Sequence, residues 1–402
     1  MDLARLLAVL AGILLLLWRR WNLGTVLLLA SAAIGLLFGL TPAGLLQAGL
    51  DTIRDPITLR LLAAVTLILS LGAILKATAK LDGLVRSLER LLPDGRVTMA
   101  VIPALIGLLP MVGGAIFSAP MVEEVGNRLQ VDGERKTFVN YWFRHVWEWI
   151  LPTYPSLILA AALLDIAPRA LTLSQWPLTA MAIIVGILVG LLPIRRVARP
   201  RANPRERNGN LRLLVVSIWP IVLVIILSVA LHVDLILSLL ATIGLLVLAH
   251  RLGPARVWQV LRHGVSLRPV LLIIAVMLFR QVLGSTGAVS SLPTALTAAG
   301  VPTPLILFFI PMLAGLLTGL AAGAIGVSFP VIMPLLVAGG VNMGAVALAY
   351  TGAFLGVLLS PLHLCFSLTR DYYQAEWGPN YRMLLPSILA VAAVGVVLYA
   401  LW

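Results

Sequence analysis

Apolar residues run in stretches of about 15–20 along almost the whole chain, the length a helix needs to cross a hydrocarbon core. The first half carries such stretches at Leu3–Leu17, Leu23–Leu40, Ile57–Leu75, Thr137–Leu164 and Pro177–Ile194. The second half carries them at Leu211–Leu231, His232–Ala249, Pro269–Leu283, Gly344–Cys365 and Leu384–Trp402. One further apolar segment in each half, Val97–Val122 and Thr303–Val337, is broken at its centre by glycine and proline. The pattern predicts ten crossing helices and two re-entrant helical hairpins.

The two halves repeat. Gly114-Ala115-Ile116 returns as Gly323-Ala324-Ile325, a shift of 209 residues (323 − 114 = 209). Pro152 meets Pro361, and Tyr141 meets Tyr350, at the same shift. Five crossings per half set the second repeat upside down relative to the first. That is the plan of many secondary transporters, whose substrate site lies near the bilayer midplane where the repeats meet. The expected fold is an all-α polytopic membrane protein of two inverted-topology repeats. Each has five transmembrane helices plus one re-entrant hairpin, with interrupted helices at midplane. Residues 1–194 form the first repeat, 195–210 a basic cytoplasmic linker and 211–402 the second repeat.

Composition closes off other classes. The 402 residues are 60% hydrophobic and 11% charged, too little polar surface for a soluble protein of this size. A net charge of +13 raises nucleic acid as a partner. The basic residues, however, sit in short loops between apolar spans. With both broken segments as hairpins and the N-terminus outside, Arg19 and Arg20, the loop from Lys76 to Arg96, the linker arginines and Arg251–Arg268 all fall on the cytoplasmic face. Nucleic acid is therefore not expected. Leu3–Leu17 has the look of a signal peptide, but Trp18-Arg19-Arg20 follows in place of small residues, which predicts a retained helix. The expected home is the cytoplasmic membrane of a prokaryote, with both termini outside. Cys365 is the single cysteine, so no intrachain disulfide or thiolate metal cluster can form, and neither a metal nor a cofactor is expected.

Irregular backbone survives at membrane depth only inside protein or beside water. Four breaks are predicted: the hairpin tips at Gly113/Gly114 and Ala322/Gly323, and proline breaks at Pro152–Pro155 and Ser360-Pro361. Ser360 before Pro361 reads as an N-cap followed by a first-turn proline, opening a half-helix whose positive end faces the centre. Gly113, Gly114, Pro152, Thr153, Gly323, Ser360, Pro361 and His363 are the candidate substrate-site residues, with the hydroxyls of Ser118 and Ser328 as further ligands. Each of these glycines and prolines alone is ordinary in a membrane helix; their pairing at constant shift points to a site.

The segment Tyr141-Trp142-Phe143-Arg144-His145-Val146-Trp147-Glu148-Trp149 carries the strongest local signal. In a helix entering near Thr137, Glu148 lies roughly 16 Å deep at 1.5 Å per residue. Ionisable groups at that depth are costly and usually functional. Arg144 and Glu148 stand at i, i+4, so they form either a self-neutralising structural pair or part of a coupling site. His145 and Glu148 are the candidate proton carriers. Glu123 and Glu124, after the first hairpin, are either its cytoplasmic end or an ion-binding mouth.

Phe138–His145, the Trp-Glu and prolines that follow, and Gly113–Glu124 resemble a prokaryotic membrane family, the domain-of-unknown-function 401 family. It is grouped with the ion-transporter superfamily of citrate, dicarboxylate, gluconate and arsenite permeases. The resemblance covers nearly the whole chain. It implies opposed hairpins, interrupted helices and elevator-type alternating access. The Ser-Asn-Thr motifs of the sodium-coupled dicarboxylate relatives are not present; each hairpin tip offers small residues and one serine.

The expected function is a secondary active transporter for a small anionic solute, coupled to protons or another cation. A cation/proton exchanger is the alternative, and a passive channel a further one. The partners expected are a small-molecule or ion substrate and membrane lipids, with a homodimer left open. An enzyme is not expected: HExxH and GxSxG motifs are lacking.

Overall fold

The computed structural model describes residues 2–78, 87, 91–92, 94–108, 114–195, 204–264, 267–288 and 300–402, and among them it contains helices and no strand. The first half folds as α1 (Asp2–Trp18), α2 (Leu23–Leu37), α3 (Pro42–Arg54), α4 (Pro56–Ala77), α5 (Gly95–Gly107), α6 (Gly114–Arg128), α7 (Gly133–Arg144), α8 (Pro155–Leu164) and α9 (Pro168–Gly186, continued by a π-helical turn Ile187–Leu191). The second half folds as α10 (Pro204–Ile225, continued by a π-helical turn Ile226–Ala230), α11 (Leu235–Ala249), α12 (Pro254–Gly264), α13 (Leu267–Thr286), α14 (Thr303–Thr318), α15 (Ala321–Leu336), α16 (Met343–Leu359), α17 (Leu364–Tyr372) and α18 (Trp377–Leu401).

Local chemistry sets most helix starts. Asn22, Thr41, Asp55, Asp132, Asp234 and Asn342 each cap a helix by accepting first-turn backbone N–H groups. Proline opens α3, α4, α8 and α9, where its missing N–H sacrifices no bond.

The shift of 209 holds for helix bounds. The start of α8 maps onto the start of α17 (155 + 209 = 364), and the start of α9 onto that of α18 (168 + 209 = 377). Packing follows the same correspondence. α5 packs on α6 and α7, and α14 on α15 and α16. α8 packs against α15, while α17 packs against α6. A second group forms where α2 meets α13 and α4 meets α11, α12 and α13. α16 is buried along its length and lies at the centre.

Among the described residues, six helices are long and apolar enough to cross a membrane by length and composition: Pro56–Ala77, Pro168–Leu191, Asn208–Ala230, Pro269–Thr286, Met343–Tyr372 (interrupted) and Trp377–Leu401. Shorter apolar helices, including Leu23–Leu37 and Leu235–Ala249, accompany them.

Three expectations need correction. The stretches Leu40–Pro56 and Arg251–Arg268 are not plain loops: α3 and α12 occupy most of them. α3 exposes Leu46, Leu50 and Ile53, and α12 exposes Trp258 among arginines, as interfacial amphipathic helices do. The linker is shorter than expected, because from Pro204 onward it is the first turns of α10. Its residues 196–203 lie outside the described residues, as do Gly113 and the tip of the first broken segment. Finally, the first interruption begins at His145 rather than at the prolines.

Candidate functional site

α7 ends at Arg144, and His145 caps it with its backbone N–H bonded to the carbonyl of Trp142. The chain then runs through turns until Tyr154, and Pro155 starts α8. Side chains supply what helix geometry no longer provides. Thr179 on α9 donates to the carbonyl of Val146 at 2.9 Å, and Thr172 to that of Ile150 at 2.7 Å. Tyr350 on α16 donates to the carbonyl of Glu148 at 3.0 Å. Non-helical backbone is stable at this depth because its carbonyls are satisfied by protein.

The second interruption is shorter. Ser360 ends α16, its hydroxyl donating to the Leu316 carbonyl at 2.6 Å and accepting from the Leu362 N–H at 3.2 Å. It is therefore not the N-cap of the following helix, as sequence suggested. His363 holds that position, and Pro361 lies in the turn between. The His363 ring donates from Nδ1 to the Gly319 carbonyl at 2.7 Å. Gly319, at φ +62°, joins α14 to α15, and a Cβ there would lie 2.8 Å from the backbone carbon of Leu362. Only glycine fits that turn and that approach.

Several of these contacts have donors that correspond at the shift of 209, with acceptors one to three residues out of register. Tyr154 donates to the Gly107 carbonyl at the end of α5, and its counterpart His363 (154 + 209 = 363) donates to Gly319 just past the end of α14. Tyr141 donates to the Leu358 carbonyl at 3.0 Å, while Tyr350 (141 + 209 = 350) donates to that of Glu148 at 3.0 Å. Gly186 faces Trp142, and Gly395 (186 + 209 = 395) faces Thr351, the counterpart of Trp142 (142 + 209 = 351).

The charged side chains appear once. Arg144, His145 and Glu148 are 2%, 2% and 8% exposed. Arg144, expected to pair with Glu148 at i, i+4, donates to the Tyr154 hydroxyl at 2.8 Å. His145 donates from Nδ1 to the Tyr141 carbonyl at 2.6 Å, and its Nε2 stands 3.0 Å from Nε2 of His363. The two interruptions thus touch through their histidines. The buried indole nitrogen of Trp149 and hydroxyl of Thr153, both in the first interruption, have no hydrogen-bond partner among the described residues. Unpartnered buried polar atoms are few in native proteins and mark places where a solute, ion or water belongs.

The structure brings together Arg144, His145, Glu148, Pro152, Thr153, Ser360, Pro361 and His363 as the two interruptions. Gly323 lies in α15, where a Cβ would press on Leu23 at 2.6 Å, a packing position on α2. Gly114 starts α6. Ser118 and Ser328 donate to carbonyls of their own helices, Ala115 at 3.1 Å and Ala324 at 2.6 Å. Glu123 and Glu124 are not gathered in: Glu123 accepts from Tyr372 at 2.8 Å, and Glu124 pairs with Arg128. Sequence reasoning missed Tyr350, Trp149 and Cys365, although the pairing of Tyr141 with Tyr350 marked the first. It also expected no metal-binding group, yet the ligand atoms of His145, His363 and Cys365 lie within 4.8 Å of one another. A cavity of about 560 Å³ reaches the first interruption at Pro152 and α8 at Ile158, with Arg60 and Asp234 ion-paired on its wall.

Interrupted helices meeting inside a bundle of apolar helices define the class: a multi-pass helical membrane protein. The chain belongs to the family described as "Protein of unknown function (DUF401)", which it matches over residues 2–401. Its fold is similar to that of the YdaH transporter of Alcanivorax borkumensis, whose crystal structure is described as revealing an unusual topology. The TM-score is 0.57 at 16% identity, with 97% of this chain and 98% of that one covered. No curated protein matches the chain.

Proposed function

We propose that the protein is a secondary active transporter for a small anionic solute, coupled to protons or another cation and working by elevator-type alternating access. One observation carries the reading. A single buried set of charged groups, Arg144, His145 and Glu148, lies where the interruptions of the two halves meet. Arg144 is suited to balance an anion, and Thr153 and Trp149 offer it unpartnered polar atoms. Glu148 and His145 are suited to the coupling cation. The fold likeness to a transporter supports the class, and the cavity at Pro152 offers an approach from one side.

The recurring contacts at Tyr141/Tyr350 and Tyr154/His363 support two inverted repeats, 1–194 and 211–402, joined by the basic linker 195–210. Five crossings and one re-entrant hairpin per repeat would leave both termini on one side, and the basic loops favour the outside of the cytoplasmic membrane of a prokaryote. The group of α5–α9 with α14–α18 would be the moving body, and α1–α4 with α10–α13 the scaffold. A cation/proton exchanger is the second reading, favoured by Glu148, a buried carboxylate to which no hydrogen bond forms among the described residues.

A thermal-shift screen of purified protein against small anions and cations at several pH values tests the proposal, since a ligand bound only by the folded state raises the melting temperature. An anion hit lost in Arg144→Gln, together with a pH or cation dependence lost in Glu148→Gln, is expected. Stabilisation by cations alone would favour the exchanger, and hits untouched by both variants would overturn the site.

A further inference from the structure

We infer that His145, His363 and Cys365 form a binding site for a borderline or soft transition-metal ion of the zinc class, bridging the two halves of the molecule. The inference does not rest on the transport reading.

The hydrogen bonds of the two rings fix their chemistry. His145 Nδ1 faces the Tyr141 carbonyl at 2.6 Å, and His363 Nδ1 faces the Gly319 carbonyl at 2.7 Å. A carbonyl oxygen only accepts, so each Nδ1 carries its hydrogen. In the neutral rings both Nε2 atoms therefore present lone pairs, and they point at each other across 3.0 Å. Two such lone pairs repel unless a cation lies between them. Ring nitrogens held in one tautomer by a backbone carbonyl on the far side are the usual outer support of metal-bound histidine.

Cys365 supplies the third donor. It is 4% exposed, in the first turn of α17, and its sulfur lies within 4.8 Å of a nitrogen of each ring. Two nitrogens each about 2.0 Å from a tetrahedral zinc ion stand about 3.3 Å apart, and the sulfur bond is about 2.3 Å. The ring nitrogens need to part by only a few tenths of an ångström, and the thiol to swing inward. The donor set selects the ion. Two imidazoles and a thiolate suit Zn(II), Co(II) and copper, while Na⁺, Mg²⁺ and Ca²⁺ seek oxygen. Three protein ligands leave a fourth position for water or a solute. His363 is only half-buried and gives that position a route outward.

The ligands come from both halves: His145 from the first interruption, His363 from the second and Cys365 from the first turn of α17. An ion there would pin the two interruptions together.

Cobalt is the probe. Tag-free protein in detergent, with the thiol reduced, is titrated with Co(II) and then with Zn(II) in competition. Because Cys365 is the chain's only cysteine, a thiolate-to-cobalt charge-transfer band in the near ultraviolet can arise from no other residue. The expected result is one Co(II) per chain, this band, intense visible bands of a tetrahedral ion, and displacement by Zn(II). Cys365→Ser should lose the charge-transfer band, and His363→Gln should weaken binding about a hundredfold. Wild-type protein that is folded by gel filtration yet binds no cobalt would show that a proton, not a metal, is shared between the rings. Binding without the thiolate band, or equal in both variants, would place the ion elsewhere. Either result overturns the site while leaving the anion screen on Arg144 unaffected.

Discussion

The two interrupted helices, α7–α8 and α16–α17, share a frame and differ in chemistry. Both are braced by a tyrosine reaching a carbonyl of the other, and both tie a ring or phenol to the end of a neighbouring helix. Yet Arg144, His145 and Glu148 stand opposite Ala353, Phe354 and Val357 (144 + 209 = 353, 145 + 209 = 354, 148 + 209 = 357). The counterparts even touch, with the His145 and Phe354 rings 6.3 Å apart. The second interruption is short, and its own Ser360 and His363 reach out to the carbonyls of Leu316 and Gly319, whereas the first is ten residues long (145 to 154) and its carbonyls accept from Thr172, Thr179 and Tyr350. The tyrosine braces occur in both interrupted helices, whereas the buried charged groups occur in one only.

The sharpest way to break this contrast is to remove the charge. Arg144→Met deletes a buried cation near a buried carboxylate and removes the donor to the Tyr154 hydroxyl, an expected loss of about 3–5 kcal/mol. Ala353→Ser, at the matching position, should cost about 1 kcal/mol or less, because a helical serine can bond its own backbone. Denaturation of both proteins in detergent measures the difference. Equal losses would mean that the charge is not what distinguishes the two interruptions.

Next in size are substitutions that probe the shared frame. A Cβ at Gly107 would lie 2.3 Å from the Arg144 carbonyl oxygen, and one at Gly315 would lie 2.2 Å from that of Ala353, the counterpart of Arg144. Gly107→Ala and Gly315→Ala should therefore each cost about 1–3 kcal/mol through overpacking. Comparable drops in melting temperature are expected. Sensitivity in only one half would show that the frame is not functionally duplicated.

Much of this frame was legible in the sequence, because a long apolar run and a constant shift are both local or additive signals. The starts of α8 and α9 reappear as the starts of α17 and α18 at the shift to the residue. α3 and α12 were hidden because 13 and 11 residues with one apolar face read as connecting polar segments. The early end of α7 was hidden for another reason. Nothing in Arg144–Leu151 forbids a helix; the hydroxyls of Thr172 and Thr179, some thirty residues away, make the alternative backbone stable. The meeting of His145 with Cys365, 220 positions apart (365 − 145 = 220), is a product of tertiary packing and left no trace in local spacing.

Smaller effects test the braces between the halves. Tyr350 reaches both the Glu148 carbonyl and the Ser156 hydroxyl at 3.0 Å, whereas Tyr141 reaches only the Leu358 carbonyl by its hydroxyl. Each buried bond is worth about 0.5–1.5 kcal/mol, so Tyr350→Phe should cost more than Tyr141→Phe. The reverse order, measured by urea or thermal unfolding, would mean that the first interruption is held by something other than this brace.

The smallest expected effect lies furthest from the interruptions. Glu124 pairs with Arg128 on an exposed face, with 60% and 53% of the two side chains accessible. Solvent screens such a pair, so Glu124→Gln should change stability by no more than about 0.5 kcal/mol. It should also leave ligand-induced thermal shifts intact, because α6 carries Glu124 away from Arg144 and Glu148. Loss of a cation-dependent shift in Glu124→Gln, with Glu148→Gln unaffected, would move the coupling group to the end of the first hairpin. The charged interruption would then be structural, and the contrast between the halves would be one of packing alone.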